Sequence, residues 1–201
     1  MAGFSDRFYT SQHSRRLMGW DYGMPGYYFV TICIKDKEPF FGNVADGNMV
    51  LSEIGRLVEK TWFEIPLHTK TVRLDAFICM PDHAHGIIVI ANDDGHDNHN
   101  DNGARCSVAA CCDATSTNEP QTPPIHMSDV SGLSVHPNSL PAIIRSFKSA
   151  CTKHINRQFP DARFQWQPRY YDHIIRDKES LGRIRNYIQN NPVMYRQKSM
   201  V

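Results

Sequence analysis

The sequence has 201 residues, 41% of them hydrophobic and 21% charged, which is ordinary for a soluble globular protein with enough chain for one buried core. No apolar run approaches the roughly 20 residues of a membrane helix, and the N-terminus lacks the apolar core of a signal peptide, so we expect a cytoplasmic protein without a membrane partner. The net charge of +1 conceals a basic last third: residues 140–201 carry twelve basic and four acidic groups, as in a polyanion-binding chain or a merely solvated surface.

The first half of the chain carries alternating strand and helix signals. β-branched and aromatic runs predict strands, a serine before an apolar stripe of helical period predicts a capped helix, and an Asp-Gly dipeptide predicts a tight turn. The predicted elements are a strand at 27–35, a hairpin turning at Asp46-Gly47, a helix from Ser52 to about Pro66, and antiparallel strands at 71–80 and 84–91.

Residues 92–138 differ from the rest of the chain. They are rich in Asn, Asp, Ser, Thr and Pro, contain no aromatic residue, and hold a single basic one, Arg105. Such a composition buries little apolar area, so we expect a flexible insertion within one domain that spans residues 1–201. The elements predicted after it are a helix from Ser139 to about Phe159, a strand at 169–176, and a helix from Asp177 that Pro192 ends.

The order of the predicted elements is β, α, β, β, α, β, followed by one more α. Two interleaved βα units of this kind are typical of the ferredoxin-like split βαβ arrangement. We therefore predict an α+β fold with a central antiparallel sheet of about four strands, helices mainly on one face, and an additional C-terminal helix.

Two histidines, His83 and His85, stand in the stretch MPDHAHGIIVI at 80–90. Side chains alternate along a strand, so both imidazoles project from one face. Ile87 continues that face and Ile88 takes the other, which predicts a central strand. Two neighbouring imidazoles can hold a divalent metal if another element supplies a third ligand, although a single histidine near a strand is more often structural.

The last helix offers Tyr187 and Asn191, which are four residues apart and therefore share one face. A tyrosine over the histidine strand could act as a reacting group, and the asparagine could supply a ligand. Helix geometry alone favours a structural interpretation, with Tyr187 as an aromatic at the edge of the core and Asn191 as a C-terminal cap before the proline.

Three stretches together resemble the single-tyrosine HUH transposases, and more closely the REP-associated tyrosine transposases. They are the histidine strand MPDHAHGIIVI, the N-terminal segment RRLMGWDYGMPGYYFVTIC, and the C-terminal block FQWQPRYYDHIIRDKESLGRIRNYIQNNP, in which a helix tyrosine precedes the final NP by a fixed interval. The stretches occur in the order of the family, and the resemblance covers nearly the whole chain except residues 92–138.

The resemblance implies that His83 and His85 bind a divalent metal, Mg²⁺ or Mn²⁺, with Asn191 as the third, amide ligand. It makes Tyr187 the nucleophile of a single-strand DNA endonuclease and strand-transferase that cuts at DNA hairpins through a 5′-phosphotyrosine. The implied partner is single-stranded DNA with hairpin, repetitive palindromic structure, so the protein would be nucleoid-associated when bound to DNA. Relatives include monomers and dimers, which leaves a homodimer open.

Basic residues of the last third are candidates for contacts with DNA phosphates. These candidates are Arg145, Lys148, Lys153, Arg183 and Arg185. The resemblance adds Arg15 and Arg16 of the N-terminal arm.

Two other function classes stay open. One is a metal-dependent phosphohydrolase, with zinc held near Cys79 or by Cys106, Cys111 and Cys112; a histidine-triad enzyme would need a histidine where Ile87 stands. The other is a hairpin-DNA-binding protein that keeps the fold without cutting.

Overall fold

The computed structural model describes residue 17, residues 19–91 and residues 138–198, without the side chains of 196–198. All described residues belong to one compact unit. Arg15, Arg16 and the predicted insertion at 92–138 lie outside the described residues. None of the described helices is long and apolar enough to cross a membrane.

The described elements follow the predicted order. The strands are β1 (Gly26–Cys33), β2 (Gly42–Ala45), β3 (Asn48–Leu51), β4 (Val72–Met80), β5 (His83–Ile90) and β6 (Tyr171–Ile175). The α-helices are α1 (Glu53–Phe63), α2 (Ile65–His68), α3 (Leu140–Gln158) and α4 (Lys178–Lys198), and short 3-10 turns lie at Lys35–Lys37 and Pro160–Ala162.

Four strands form the central sheet, in the order β4-β5-β1-β6, and every neighbouring pair is antiparallel. Helix α1 lies between β1 and β4 in the chain, and α3 lies between β5 and β6. In the sheet, β5 lies between β1 and β4, and β1 lies between β5 and β6. This is the ferredoxin-like split βαβ arrangement, and the predicted α+β fold is confirmed. β2 and β3 form a separate hairpin, where Asp46 (φ 50°) and Gly47 (φ 75°) give the left-handed turn that such hairpins favour.

The two faces of the sheet carry apolar clusters of different size. The larger cluster joins the sheet to α1 and α3, with Ile88 and Ile90 of β5 on that face. The smaller cluster joins the opposite face to α4. Its buried members are Phe29, Ile87, Ile175, Ile184 and Ile188. The predicted alternation of β5 is confirmed, and of the helices that the structure describes α4 is the one that packs on the face that carries both histidines.

Gly86 lets α1 approach β5 directly behind the histidines. A Cβ at this position would lie 2.3 Å from Cζ2 of the Trp62 ring, a distance that packed atoms do not tolerate. Trp62 is fully buried and stacks on Phe77 with ring centroids 4.7 Å apart. The indole therefore packs against β5 in the middle of the sheet, on the face opposite the histidines.

Two predicted helix ends were wrong. Pro192 does not end the last helix, which runs on to Lys198 with the proline inside it. A proline there removes one helical hydrogen bond, but the helix also contacts the β2–β3 hairpin, where Val193 approaches Gly47. Pro66 likewise lies in the first turn of α2, because the predicted helix divides at Glu64.

Candidate active site

His83 and His85 are the first and third residues of β5, and both are buried, with 3% and 1% of their surfaces exposed. Their Nε2 atoms lie 3.0 Å apart. Two imidazole nitrogens this close cannot both present lone pairs to each other unless a proton or a cation lies between them. The strand alternation predicted from the sequence therefore brings the two rings together at a single point.

Each histidine has a hydrogen-bond partner on its other nitrogen. Nδ1 of His83 lies 2.6 Å from Oδ1 of Asp82, and Nδ1 of His85 lies 2.9 Å from the hydroxyl of Thr31 on β1. Because a carboxylate only accepts, Nδ1 of His83 is the donor in this contact, and Nε2 is the nitrogen that faces His85. Outer partners of this kind fix the tautomer and orientation of metal-binding histidines.

Burial and the neighbouring side chains shift the pKa values of His85 and Asp82. It lowers the pKa of His85 well below the ordinary value, and the neighbouring His83 lowers it further, so His85 is neutral at neutral pH. Burial raises the pKa of Asp82, but its hydrogen bond to His83 and the charge of His83 outweigh this, so the net shift is downward. An ionised Asp82 therefore faces a histidine pair of which at least one ring is uncharged.

Tyr187 lies on α4, at the smaller apolar cluster, and approaches the histidine pair from that helix. Its hydroxyl lies 3.4 Å from Nε2 of His85. Phe29 lies against both rings, stacked on His85 at 5.5 Å and edge-on to Tyr187 at 6.2 Å between centroids. Burial raises the pKa of Tyr187, and a side-chain hydrogen bond from Asn191 opposes that rise. The phenol, the amide and the two imidazoles thus form one group.

The residues present fit a small divalent cation. Octahedral ligands at about 2.1 Å stand about 3.0 Å apart, which matches the separation of the two Nε2 atoms. Among the described residues no three His, Cys, Asp or Glu side chains form a metal-binding group. Asn191 is buried, with 7% of its surface exposed. Its role as a ligand stays a prediction.

The predicted DNA-contacting cations lie on two sides of the sheet. Arg145, Lys148 and Lys153 stand on α3, and the two arginines Arg183 and Arg185 stand on α4. They do not form one continuous track.

The two helices also differ in how their cations are paired. On α4, Arg183 pairs with Glu179 and Arg185 with Asp75. On α3, the Lys148 ammonium donates to the backbone oxygens of Gln167 and Pro168.

Cys79 does not belong to the site. It lies on the α1 and α3 side of the sheet, in the larger apolar cluster, whereas the histidines point to α4. Burial raises its pKa well above the ordinary thiol value, which disfavours the thiolate that zinc requires. The alternative zinc group of Cys106, Cys111 and Cys112 lies outside the described residues.

Three residues of the site were missed from the sequence. Asp82 could have been found, because it directly precedes the first histidine. Thr31 and Phe29 carry no signal of their own: they reach the site through the register of β1 with β5, which pairs Thr31 with His85 and Phe29 with Ile87.

Comparisons with known proteins agree with the predicted family. The family model described as IS200-like transposase matches residues 132–191, a segment that includes Tyr187 and Asn191. An uncharacterised protein of Haemophilus influenzae is 35% identical over 191 residues, which cover 94% of this chain and 92% of that protein.

Solved structures of low identity are also similar. A REP-associated tyrosine transposase bound to a REP hairpin matches with 13% identity and a TM-score of 0.49, over 92% of this chain and 74% of that one. A candidate transposase of Deinococcus radiodurans matches with 14% identity and a TM-score of 0.43, over 88% of this chain and 96% of that one.

Proposed function

Because the chain belongs to the IS200-like transposase family, we propose that it cuts and rejoins single strands of DNA through a covalent bond between DNA and Tyr187. The proposal places His83, His85 and Asn191 around a divalent cation, Mg²⁺ or Mn²⁺. The substrate is single-stranded DNA beside a hairpin. These assignments together make the protein a metal-dependent endonuclease and strand-transferase.

One observation carries the proposal: the hydroxyl of Tyr187 lies 3.4 Å from Nε2 of His85, which itself lies 3.0 Å from Nε2 of His83. A phosphate that touches a cation between the imidazoles would be within reach of the phenol oxygen. A tyrosine at the edge of a purely structural core has no reason to approach two buried histidines and a buried amide.

The reaction divides one strand without water. The phenol oxygen of Tyr187 attacks the scissile phosphorus and loses its proton to solvent, the bond from phosphorus to the 3′ oxygen breaks, and the leaving 3′ oxygen takes up a proton from solvent. The products are a 5′-phosphotyrosine and a DNA end with a free 3′-hydroxyl. Attack by a second 3′-hydroxyl on the phosphotyrosine reverses the step and joins two strands, returning the proton to Tyr187.

The chain prepares these groups before DNA binds. Asp82 and Thr31 hold the imidazoles with their Nε2 atoms together, and Phe29 packs against the rings of both His85 and Tyr187. A divalent cation, when bound, supplies charge that polarises the phosphate and stabilises the negative charge of the transition state. Burial of Tyr187 raises the pKa of its phenol, so the reaction depends on that charge and on the hydrogen bond from Asn191.

The surface of α3 supports DNA as the partner. This helix contains no acidic residue, and Arg145 and Lys153 are exposed on it. No ion pair within the described part of the chain neutralises either side chain. Exposed, uncompensated cations of this kind bind phosphates without reading sequence.

A second candidate function is a protein that binds hairpin DNA without cutting it. The same α3 cations favour DNA binding in either case. The buried histidine pair with its outer partners argues for cutting, because phosphate binding alone does not need it.

Labelled oligonucleotides test the proposal. Purified protein is mixed with single-stranded DNA from hairpin repeats that flank its gene, labelled at either end, with Mn²⁺ or with a chelator. We expect a metal-dependent cut and a protein–DNA adduct, both absent in Tyr187→Phe. Tyr195→Phe, a change on the same helix, is the matched control and should still cut.

Other results would favour the alternatives. Cutting by Tyr187→Phe without an adduct would mean that water is the nucleophile, as in a phosphohydrolase. Tight binding of the hairpin by the wild-type protein with no cutting in either metal would favour the non-cleaving protein.

A further inference from the structure

Arg185 of α4 and Asp75 of β4 form a two-pronged ion pair across 110 residues of sequence. Nε of Arg185 lies 2.9 Å from Oδ1 of Asp75, and a terminal nitrogen lies 2.5 Å from Oδ2. The carboxylate is 16% exposed. A planar guanidinium that meets a carboxylate at both oxygens fixes direction as well as distance, unlike a single point contact.

A β-bulge directs Asp75 toward α4. Leu74 pairs with Ile88 and Phe77 pairs with Gly86, so Asp75 and Ala76 together lie opposite a single residue, Ile87. The backbone N–H of Ala76 donates to Oδ1 of Asp75 at 2.7 Å, which holds the carboxylate in place. The extra residue interrupts the alternation of β4, and such interruptions re-aim a side chain.

The apolar cluster beneath α4 contains few buried side chains. Ile184 and Ile188 of the helix are buried in the small cluster, with Leu181 and Tyr187 partly buried against it, whereas α1 and α3 share the large cluster. Apolar contacts have no preferred direction, and a one-residue slip of a helix moves each side chain by 1.5 Å along the axis and 100° around it. The two-pronged contact with Asp75 supplies the missing direction.

We propose that Asp75 and Arg185 are positioning residues that lock the rotation and axial position of α4, and so hold the hydroxyl of Tyr187 at the histidine pair. The proposal rests on the function assigned to Tyr187 above. Neither residue touches the reacting atoms. Arg185 then acts inside the protein and does not contact DNA phosphates.

The rate of adduct formation in a single turnover, with a labelled hairpin oligonucleotide and Mn²⁺, tests the lock. We expect Asp75→Ala and Arg185→Ala to slow this step about 10- to 100-fold, because a misplacement near 1 Å costs that much. Affinity for the hairpin should change less than about threefold. The reversed pair Asp75→Arg with Arg185→Asp should recover most of the lost rate.

The variant Asp75→Ala distinguishes a positioning role of Arg185 from a contact between Arg185 and DNA phosphate. If Arg185 bound phosphate, removing its acidic partner would leave cutting unchanged or make it faster, and that result would overturn the proposal. Arg185→Lys keeps the charge but loses the two-pronged geometry, so it replaces Asp75→Ala in this test if Asp75→Ala does not fold. Adduct formation at the wild-type rate in Arg185→Lys would also overturn the proposal. Glu179→Ala is the matched control, because the Glu179–Arg183 pair lies within α4 and should not affect the rate.

Hydrogen–deuterium exchange of α4 tests the lock without DNA or metal. We expect the amides around Ile184 and Ile188 to exchange at least about fivefold faster in Asp75→Ala than in wild type, and at the wild-type rate in Glu179→Ala. Unchanged exchange in Asp75→Ala would overturn the lock. If wild type forms no adduct while Asp75→Ala still loosens α4, the proposed function fails and the lock stands.

Discussion

The carboxylate of Asp82 accepts a hydrogen bond from Nδ1 of His83 at 2.6 Å, and this contact orients Nε2 of His83 toward Nε2 of His85, 3.0 Å away. Asp82 is therefore part of the histidine site. The arrangement of carboxylate, imidazole and open position is the one that metal sites use to orient their ligands.

Replacing Asp82 should weaken metal binding. We expect Asp82→Ala to lower the affinity for Mn²⁺ about 10- to 100-fold, since outer partners of ligating histidines contribute that much. Asp82→Asn should lose less, because the amide oxygen still accepts from Nδ1. Calorimetric titration with Mn²⁺ measures both, and Asp161→Ala, an exposed acidic residue on a 3-10 turn, is the control. Equal affinity in Asp82→Ala and wild type would show that Asp82 does not orient the ligand.

Thr31 should matter for stability as well as for the site. Thr31→Val leaves Nδ1 of the buried His85 without its partner at 2.9 Å, which should lower the free energy of unfolding by about 1–3 kcal/mol. Thr31→Ser keeps the hydroxyl and should lose less. Urea denaturation measures the difference. A Thr31→Val protein as stable as Thr31→Ser would mean that the hydroxyl contributes nothing.

Two glycine substitutions should have opposite effects. Gly86→Ala places a Cβ 2.3 Å from the Trp62 ring and should destabilise the protein by about 1–3 kcal/mol or more. Gly182→Ala, on α4, meets nothing within 4 Å and should stabilise the helix by about 0.5–1 kcal/mol. Thermal unfolding of the two variants should therefore shift in opposite directions. A neutral Gly86→Ala would contradict the close approach of α1 to β5.

The cations of α3 should set the salt dependence of DNA binding. Arg145→Ala and Lys153→Ala should each weaken binding of the hairpin oligonucleotide and reduce the slope of log affinity against log salt by about 0.7–0.9. Lys70→Ala, which removes an exposed cation elsewhere, should leave the slope unchanged. Fluorescence anisotropy at several salt concentrations measures the slopes. Unchanged slopes in both α3 variants would place the DNA on another surface.

The sequence predicted the elements that have strong periodic patterns. The run around Ile88, with apolar residues on both faces, indicated a central strand, and Ser52 caps α1 as expected, accepting from the N–H of Gly55 at 3.0 Å. The end of α4 was wrong because a local rule about Pro192 cannot register the tertiary packing beyond it.

Contacts between distant strands were harder to foresee. The histidine pair follows from strand alternation within one element, so its geometry was predictable. Thr31 meets His85 only through strand register, and Asp75 meets Arg185 only through a bulge, so neither contact leaves a pattern along the chain.

The identity of the residue joined to DNA tests the central claim most directly. A covalent adduct formed with Mn²⁺ is digested with nuclease and then with trypsin, and the modified peptide is sequenced by mass spectrometry. Residues 186–196 form one tryptic peptide that holds Tyr187 and Tyr195, so its fragments distinguish the two phenols. Our account predicts nucleotide mass on Tyr187 alone. Nucleotide on Tyr195, on another residue or on none would contradict it.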